Sequence, residues 1–291
     1  MDFDTAVLHL SGGLARAGLI FIVAAGLTLQ FGALRIVNLG HGSLYMIAAY
    51  LTTTTVVRYG DAGFWLALVV IPVAIALLGL VIERTIFRRL YDGSHLPQIL
   101  VSFAIVFIVG DVMRTVYGNQ PKSLRRPGIL AGNVEIFGTK VATYNIFIVV
   151  VATLIAVVLF WLLRRSTFGL QIRAAVSDRD VLGSLGVNVS ALFAGVFGLG
   201  SWLAGVAGVV VAGSAAARPG MDVDIILVAF AVIFIGGFGS VLGSLLAAVV
   251  VGLVEAFGVV YFPRGGQVLV FITMALVLAF RPTGILGREP V

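Results

Sequence analysis

Long apolar runs recur along almost the whole of this 291-residue chain, most of them of the roughly 18 residues or more that a bilayer crossing requires. Segments that apolar cannot all be packed inside one water-soluble core. Hydrophobic residues make up 60% of the sequence and charged residues only 11%, with a mean hydropathy of +1.13, whereas a soluble domain is about a quarter charged. The alternating ten-residue segments of a transmembrane barrel are absent,. The expected class is therefore an all-α polytopic membrane protein, a bundle of about 8–9 transmembrane helices,.

Candidate spans fall at 12–32, 42–57, 63–83, 97–116, 144–163, 190–213, 225–236, 241–262 and 266–280. The span 225–236 is too short to cross about 30 Å at about 1.5 Å per residue, so it reads as a broken or re-entrant segment. The first run lacks a basic leader, and Asp2 and Asp4 are the only charges before it; it reads as a retained span rather than a signal peptide. The sequence holds no cysteine, which excludes disulfides and thiolate metal sites,. A net charge of +6 in such a chain is expected to lie in loops beside anionic lipid and to set orientation, with no nucleic-acid partner,.

The longest amphipathic interruption is 164–188, RRSTFGLQIRAAVSDRDVLGSLGVN. Apolar Leu170, Ile172, Ala175 and Val176 alternate with Gln171 and Arg173. Ser177-Asp178-Arg179-Asp180 then matches the start of a capping box; Val181, Leu182 and Leu185 follow on one face, and Gly186 is placed to stop the helix,. Two short helices with an exposed apolar face need something to cover them: a groove in a soluble partner, or the membrane surface. The mixed charge of Arg173, Asp178, Arg179 and Asp180 favours a protein partner. If this segment is cytoplasmic, so are 84–96, with Arg84, Arg88 and Arg89, and the tail, with Arg281 and Arg288. The N-terminus is then outside, as is the Gly- and Pro-rich loop 117–143 with its own four basic residues,.

The stretch Gln30–Gly42, QFGALRIVNLGHG, interrupts the first apolar block with glycines, Arg35, Asn38 and His41. Irregular polar backbone at membrane depth must be covered by protein or line a water-filled cavity. It reads either as a pathway or gate element built on Gln30, Asn38, His41 and Gly42, or as an interfacial turn. His9, His41 and His95 have no metal-ligating spacing, and no metal site is expected,. Inside the spans, Asp111 and Arg114 share a helix face and can pair, Glu255 has no basic residue one turn away, and Arg16 can snorkel to the interface,. Small residues at fourfold spacing, such as Gly200, Ala204 and Gly208, allow close helix packing,. The run Gly236–Ser244 lacks the GK[ST] ending of a phosphate loop, so energy would come from elsewhere,.

Three stretches together resemble the permease subunits of bacterial ATP-driven importers for branched-chain amino acids, the LivH type. They are GLTLQFGALRIVNLGHGSLYMIAAYL (Gly26–Leu51), the 164–188 segment, and GGFGSVLGSLLAAVVVGLVEAFG (Gly236–Gly258) followed by FRPTGILG (Phe280–Gly287). Glu83-Arg84 falls where the family has Ile-Glu-Arg. Gly40 stands where alanine is commoner, and Arg16 and Arg35 stand where small or apolar residues are usual. The resemblance implies a single permease domain over 1–291, with 164–188 as its ATPase-coupling loop. That loop would act through Arg173, Ser177, Asp178, Arg179, Asp180, Leu182, Leu185 and Gly186. It implies a non-catalytic chain without its own cofactor, in the bacterial inner membrane. Its partners would be a second permease subunit in a heterodimer, two ATPases holding ATP and Mg, a periplasmic binding protein and a small-molecule substrate. Branched-chain or related hydrophobic amino acids are the expected cargo; relatives also carry urea, short amides or aromatic acids. From a different class, an ion-coupled secondary transporter would use Asp111 or Glu255, and a channel would need no ATPase.

Overall fold

The computed structural model describes residues 2–91, 93–262 and 265–287. Its elements are almost all helical: α1 (Phe3–Leu34), α2 (His41–Thr85), α3 (His95–Tyr117), α4 (Thr143–Arg165), α5 (Thr167–Ser177), α6 (Arg179–Ser184), α7 (Val189–Ala212), α8 (Met221–Gly236), α9 (Val241–Tyr261) and α10 (Gly266–Phe280). A hairpin of β1 (Asn133–Ile136) and β2 (Thr139–Ala142) sits between α3 and α4. Its turn residues, Phe137 and Gly138, both have positive φ, as a two-residue turn matched to strand twist requires,.

Among the described residues six helices are long and apolar enough to cross a membrane. The protein is an all-α polytopic membrane protein. The expected spans 42–57 and 63–83 lie in one assigned helix of 45 residues, α2, but Gly60 (φ 63°, ψ −145°) breaks it into two legs. Only glycine takes that conformation without strain. The legs fold back on each other and run in opposite directions along α7: Ala48 of the first packs on Gly208, whereas Pro72 of the second packs on Gly205 and Leu80 on Gly198. The short helix α8 begins at Met221, four residues earlier than expected, yet its 16 residues still span only about 24 Å.

Burial follows composition. From Ala17 to Gln30, α1 is buried on every side, a helix that is apolar all round placed at the centre of a bundle,. It packs against α9, α7, α4 and α8. In α3, by contrast, only Gln98 and Ser102 are buried. Asp111 and Arg114 are both exposed on it and, among the described residues, form no ion pair with each other, contrary to the pairing expected from their spacing. An i, i+3 spacing gives reach, but no neighbouring helix holds the two side chains together.

The two ends of the bundle are distinct. At the hairpin end, Thr139 donates to Asp4 Oδ1 (2.7 Å), the Gly128 amide donates to Asp61 Oδ2 (2.6 Å), and Lys122 and Ala217 exchange backbone hydrogen bonds. At the opposite end, α5 and α6 gather with the end of α1 and the turn at Tyr91. The tail also reaches this end, donating from Ile285 and Leu286 to the carbonyls of Ile235 and Gly236. The basic segments 84–96 and 164–188 therefore share one end with the tail as far as Gly287; Arg288 lies outside the described residues.

Candidate functional site

Two helices begin inside the bundle rather than at its surface, and their starts meet. The first start follows α1. Arg35 closes that helix in the left-handed conformation (φ 53°), its amide donating to the Phe31 carbonyl. Residues 36–40 then turn back, and α2 starts at His41, level with Gly26 in the C-terminal half of α1. A Cβ on Gly26 would lie 2.8 Å from both His41 Cε1 and the Gly200 carbonyl oxygen, so three segments touch there because glycine leaves room. His41 is completely buried, and neither ring nitrogen makes a well-formed hydrogen bond. Asn38 donates to Gln30 Oε1 (2.9 Å) and Gln30 donates to the Phe197 carbonyl (3.2 Å), tying the re-entrant loop to α1 and α1 to α7. Gln30, Asn38, His41 and Gly42 thus form one cluster, and it is filled.

The second start is α8. A Cβ on Gly42 would run into the Asp222 carbonyl, and Ser43 donates to Asp222 Oδ2 (3.1 Å), so α2 and α8 abut start to start. The connection 213–220 descends to this point from the hairpin end, held by the Lys122–Ala217 bridge and by Arg126 donating to the Gly213 carbonyl (2.8 Å). Above it lies a cavity of about 240 Å3 bordered by two ion pairs. Arg16 Nε is 2.6 Å from Glu255 Oε2, linking α1 to α9 in place of the snorkelling expected of Arg16. Arg218 pairs with Asp224 in the first turn of α8. A second cavity of about 470 Å3 shares Arg16, Glu255 and Gln267 with the first. Sequence reasoning missed Tyr45, Arg218, Asp222, Asp224 and Gln267. Two carboxylates opening an otherwise apolar helix, just after Arg-Pro-Gly, were the available signal for α8.

The third region is the α5–α6 pair. Ser166 caps α5 by accepting from the Gly169 amide (3.1 Å), and Arg173 donates to the Leu163 carbonyl, stapling α5 to α4. Asp178, not Ser177, caps α6, accepting from the amides of Asp180 (2.9 Å) and Val181 (3.0 Å). A cap must stand immediately before the first helical residue, and Ser177 is still the last residue of α5. Gly186 (φ 84°) follows the end of α6. The expected common face divides: Leu182 is buried, whereas Val181 and Leu185 are 55% and 76% exposed. Arg179 lies 3.8 Å from Asp180. Ser177, Asp178 and Arg179 border a cavity of about 370 Å3 with Arg35 and Tyr91. Nearby Glu83 is completely buried and accepts from the Tyr91 hydroxyl (2.6 Å), while Arg84 is exposed. Burial, then this hydrogen bond, holds the Tyr91 phenol above its ordinary pKa. Among the described residues no three His, Asp or Glu side chains are placed to hold a metal ion.

The family described as branched-chain amino acid transport system / permease component matches residues 9–279. The chain belongs to that family. Among its relatives, the high-affinity branched-chain amino acid transport system permease protein BraD of Pseudomonas aeruginosa is 29% identical, over 97% of this chain and 96% of its own length. The corresponding LivH of Escherichia coli K12 is 27% identical over 93% of this chain and 92% of its own. The probable branched-chain amino acid transport permease LivH of Methanocaldococcus jannaschii is 25% identical over 96% and 92%. No solved structure matches this chain.

Proposed function

We propose that the chain is the membrane-spanning permease subunit of an ATP-driven importer. Two separate ATPases, holding ATP and Mg, drive it, and it passes branched-chain or related hydrophobic amino acids delivered by a periplasmic binding protein. The whole chain acts as one permease domain beside a second, non-identical permease. The α5–α6 end faces the cytoplasm and the N-terminus faces the periplasm, in the inner membrane. The observation that carries this reading is the α5–α6 pair. Two capped helices at the basic end present Leu170, Val181 and Leu185 to the outside, while Leu182 and the Arg173 staple fix them to the bundle. Such a rigid apolar projection suits a groove on a soluble partner that pushes.

The test is to tag the chain, extract it gently and identify what co-purifies. Two ATPases and a second permease are expected, with loss of the ATPases in Leu185→Glu at unchanged thermal stability. Recovery of the chain alone, with uptake intact in ATPase-free proteoliposomes, would overturn the reading. Uptake of urea or short amides by the assembled complex in place of leucine would keep the importer and replace its cargo.

A further inference from the structure

We infer that the Arg16–Glu255 pair, with the polar cavity above the start of α8, is a subsite in this chain for the zwitterionic head group of an α-amino acid. The inference rests on the importer reading for its cargo class. Its geometry stands independently.

The pair joins α1 to α9 in two contacts, Arg16 Nε to Glu255 Oε2 at 2.6 Å and Arg16 Nη2 to Glu255 Oε1 at 3.4 Å. It is also the wall between two cavities, because both are lined by Arg16, Glu255 and Gln267. On the far side of the smaller cavity stands the second pair, Arg218 with Asp224. One small space thus contains two cations and two anions, contributed by α1, α9, α8 and the connection before α8. The space is not polar throughout. Val211, Met221 and Ile225 form an apolar wall beside the charges. A charged head beside an apolar wall is the complement of a hydrophobic amino acid.

The pairing selects the charge state. Removing one partner of this part-buried pair leaves the other uncompensated, and that costs most at Glu255, whose side chain is 14% exposed against 38% for Arg16,. A ligand with only a carboxylate can take Arg16 but strands Glu255. A ligand with only an ammonium group can take Glu255 but strands Arg16. A zwitterion satisfies both ends when it separates them, its carboxylate on the Arg16 guanidinium and its ammonium on the Glu255 carboxylate. Opening the pair would also join the two cavities.

The chain contains no cysteine, so a single introduced thiol reports on one place. Ala215→Cys puts that thiol in the wall of the smaller cavity. The assembled complex carrying it is treated with a sulfonated methanethiosulfonate, with the binding protein absent. Labelling of this chain is read with L-leucine, L-leucinamide (no carboxylate) or 4-methylpentanoate (no ammonium group). Leucine is expected to slow labelling; neither analogue should do so at the same concentration. In the double variant Arg16→Met/Glu255→Gln, half-protection should require roughly tenfold more leucine or more. An unprotected thiol, equal protection by either analogue, or full protection in the double variant would each overturn the inference. The three ligand arms need no charge variant, so misfolding of the double variant does not spare the proposal. Absence of ATPases from the preparation would refute the importer reading alone; their presence with no leucine protection would refute the subsite alone.

Discussion

The two helix starts inside this bundle are built in opposite ways. Around His41 everything is closed: glycines 26 and 42 bring backbones into contact, and the amides of Gln30 and Asn38 are used on each other and on Phe197. Around Met221 the connection is open: Arg218 and Asp224 are about half exposed, and the space above them is a cavity. At both starts the first-turn amides turn back on the preceding loop, His41 and Gly42 donating to the Asn38 and Leu39 carbonyls, and Met221 and Val223 to those of Arg218 and Gly220. One is enclosed by packed protein and the other opens onto charge. The lesson is that a broken helix does not by itself mark a ligand position; what surrounds its first turn decides that.

Substitutions that add volume should separate the two starts most sharply. Gly42→Leu drives a side chain into the Asp222 backbone, and we expect a loss of about 3 kcal/mol or more, seen as little monodisperse protein after extraction. Ala215→Leu, exposed in the connection that leads to the open start, should leave the yield unchanged. Equal tolerance at both would erase the contrast. Next in size is the amide chain. Asn38→Leu leaves the buried Gln30 carbonyl oxygen unsatisfied and should cost about 1–3 kcal/mol, measurable as a lower unfolding temperature in detergent. Gln30→Met/Asn38→Leu should cost less than the sum of the single changes. At the open start, Arg218→Gln removes a pair that is half in solvent, and stability should change by less than about 1 kcal/mol. A large drop there would show that the second start is as tightly braced as the first.

The parts of this arrangement legible in the sequence are those written in local pattern. Apolar length gave the helices, the gap 58–62 between two expected spans and the polar stretch 30–42 marked interruptions, and the shortness of 225–236 marked a broken or re-entrant segment. Alternation of apolar and charged residues located α5 and α6, but not which apolar residue turns inward. Leu182 and Leu185 are chemically identical, and only the neighbouring helices α5 and α7 bury one and leave the other outside. The partner of Glu255 lay out of reach for a different reason. It is 239 residues away, and a residue pair between distant helices has no periodicity to read.

That separation also sets an order of events. Ribosomes add roughly 5–20 residues per second, so Arg16 enters the bilayer tens of seconds before Glu255 has been made. For that interval the guanidinium, which ends part-buried between two cavities, has to reach for the interface along its own aliphatic stem. Helix α1 thus waits for its electrostatic partner until α9 has been made.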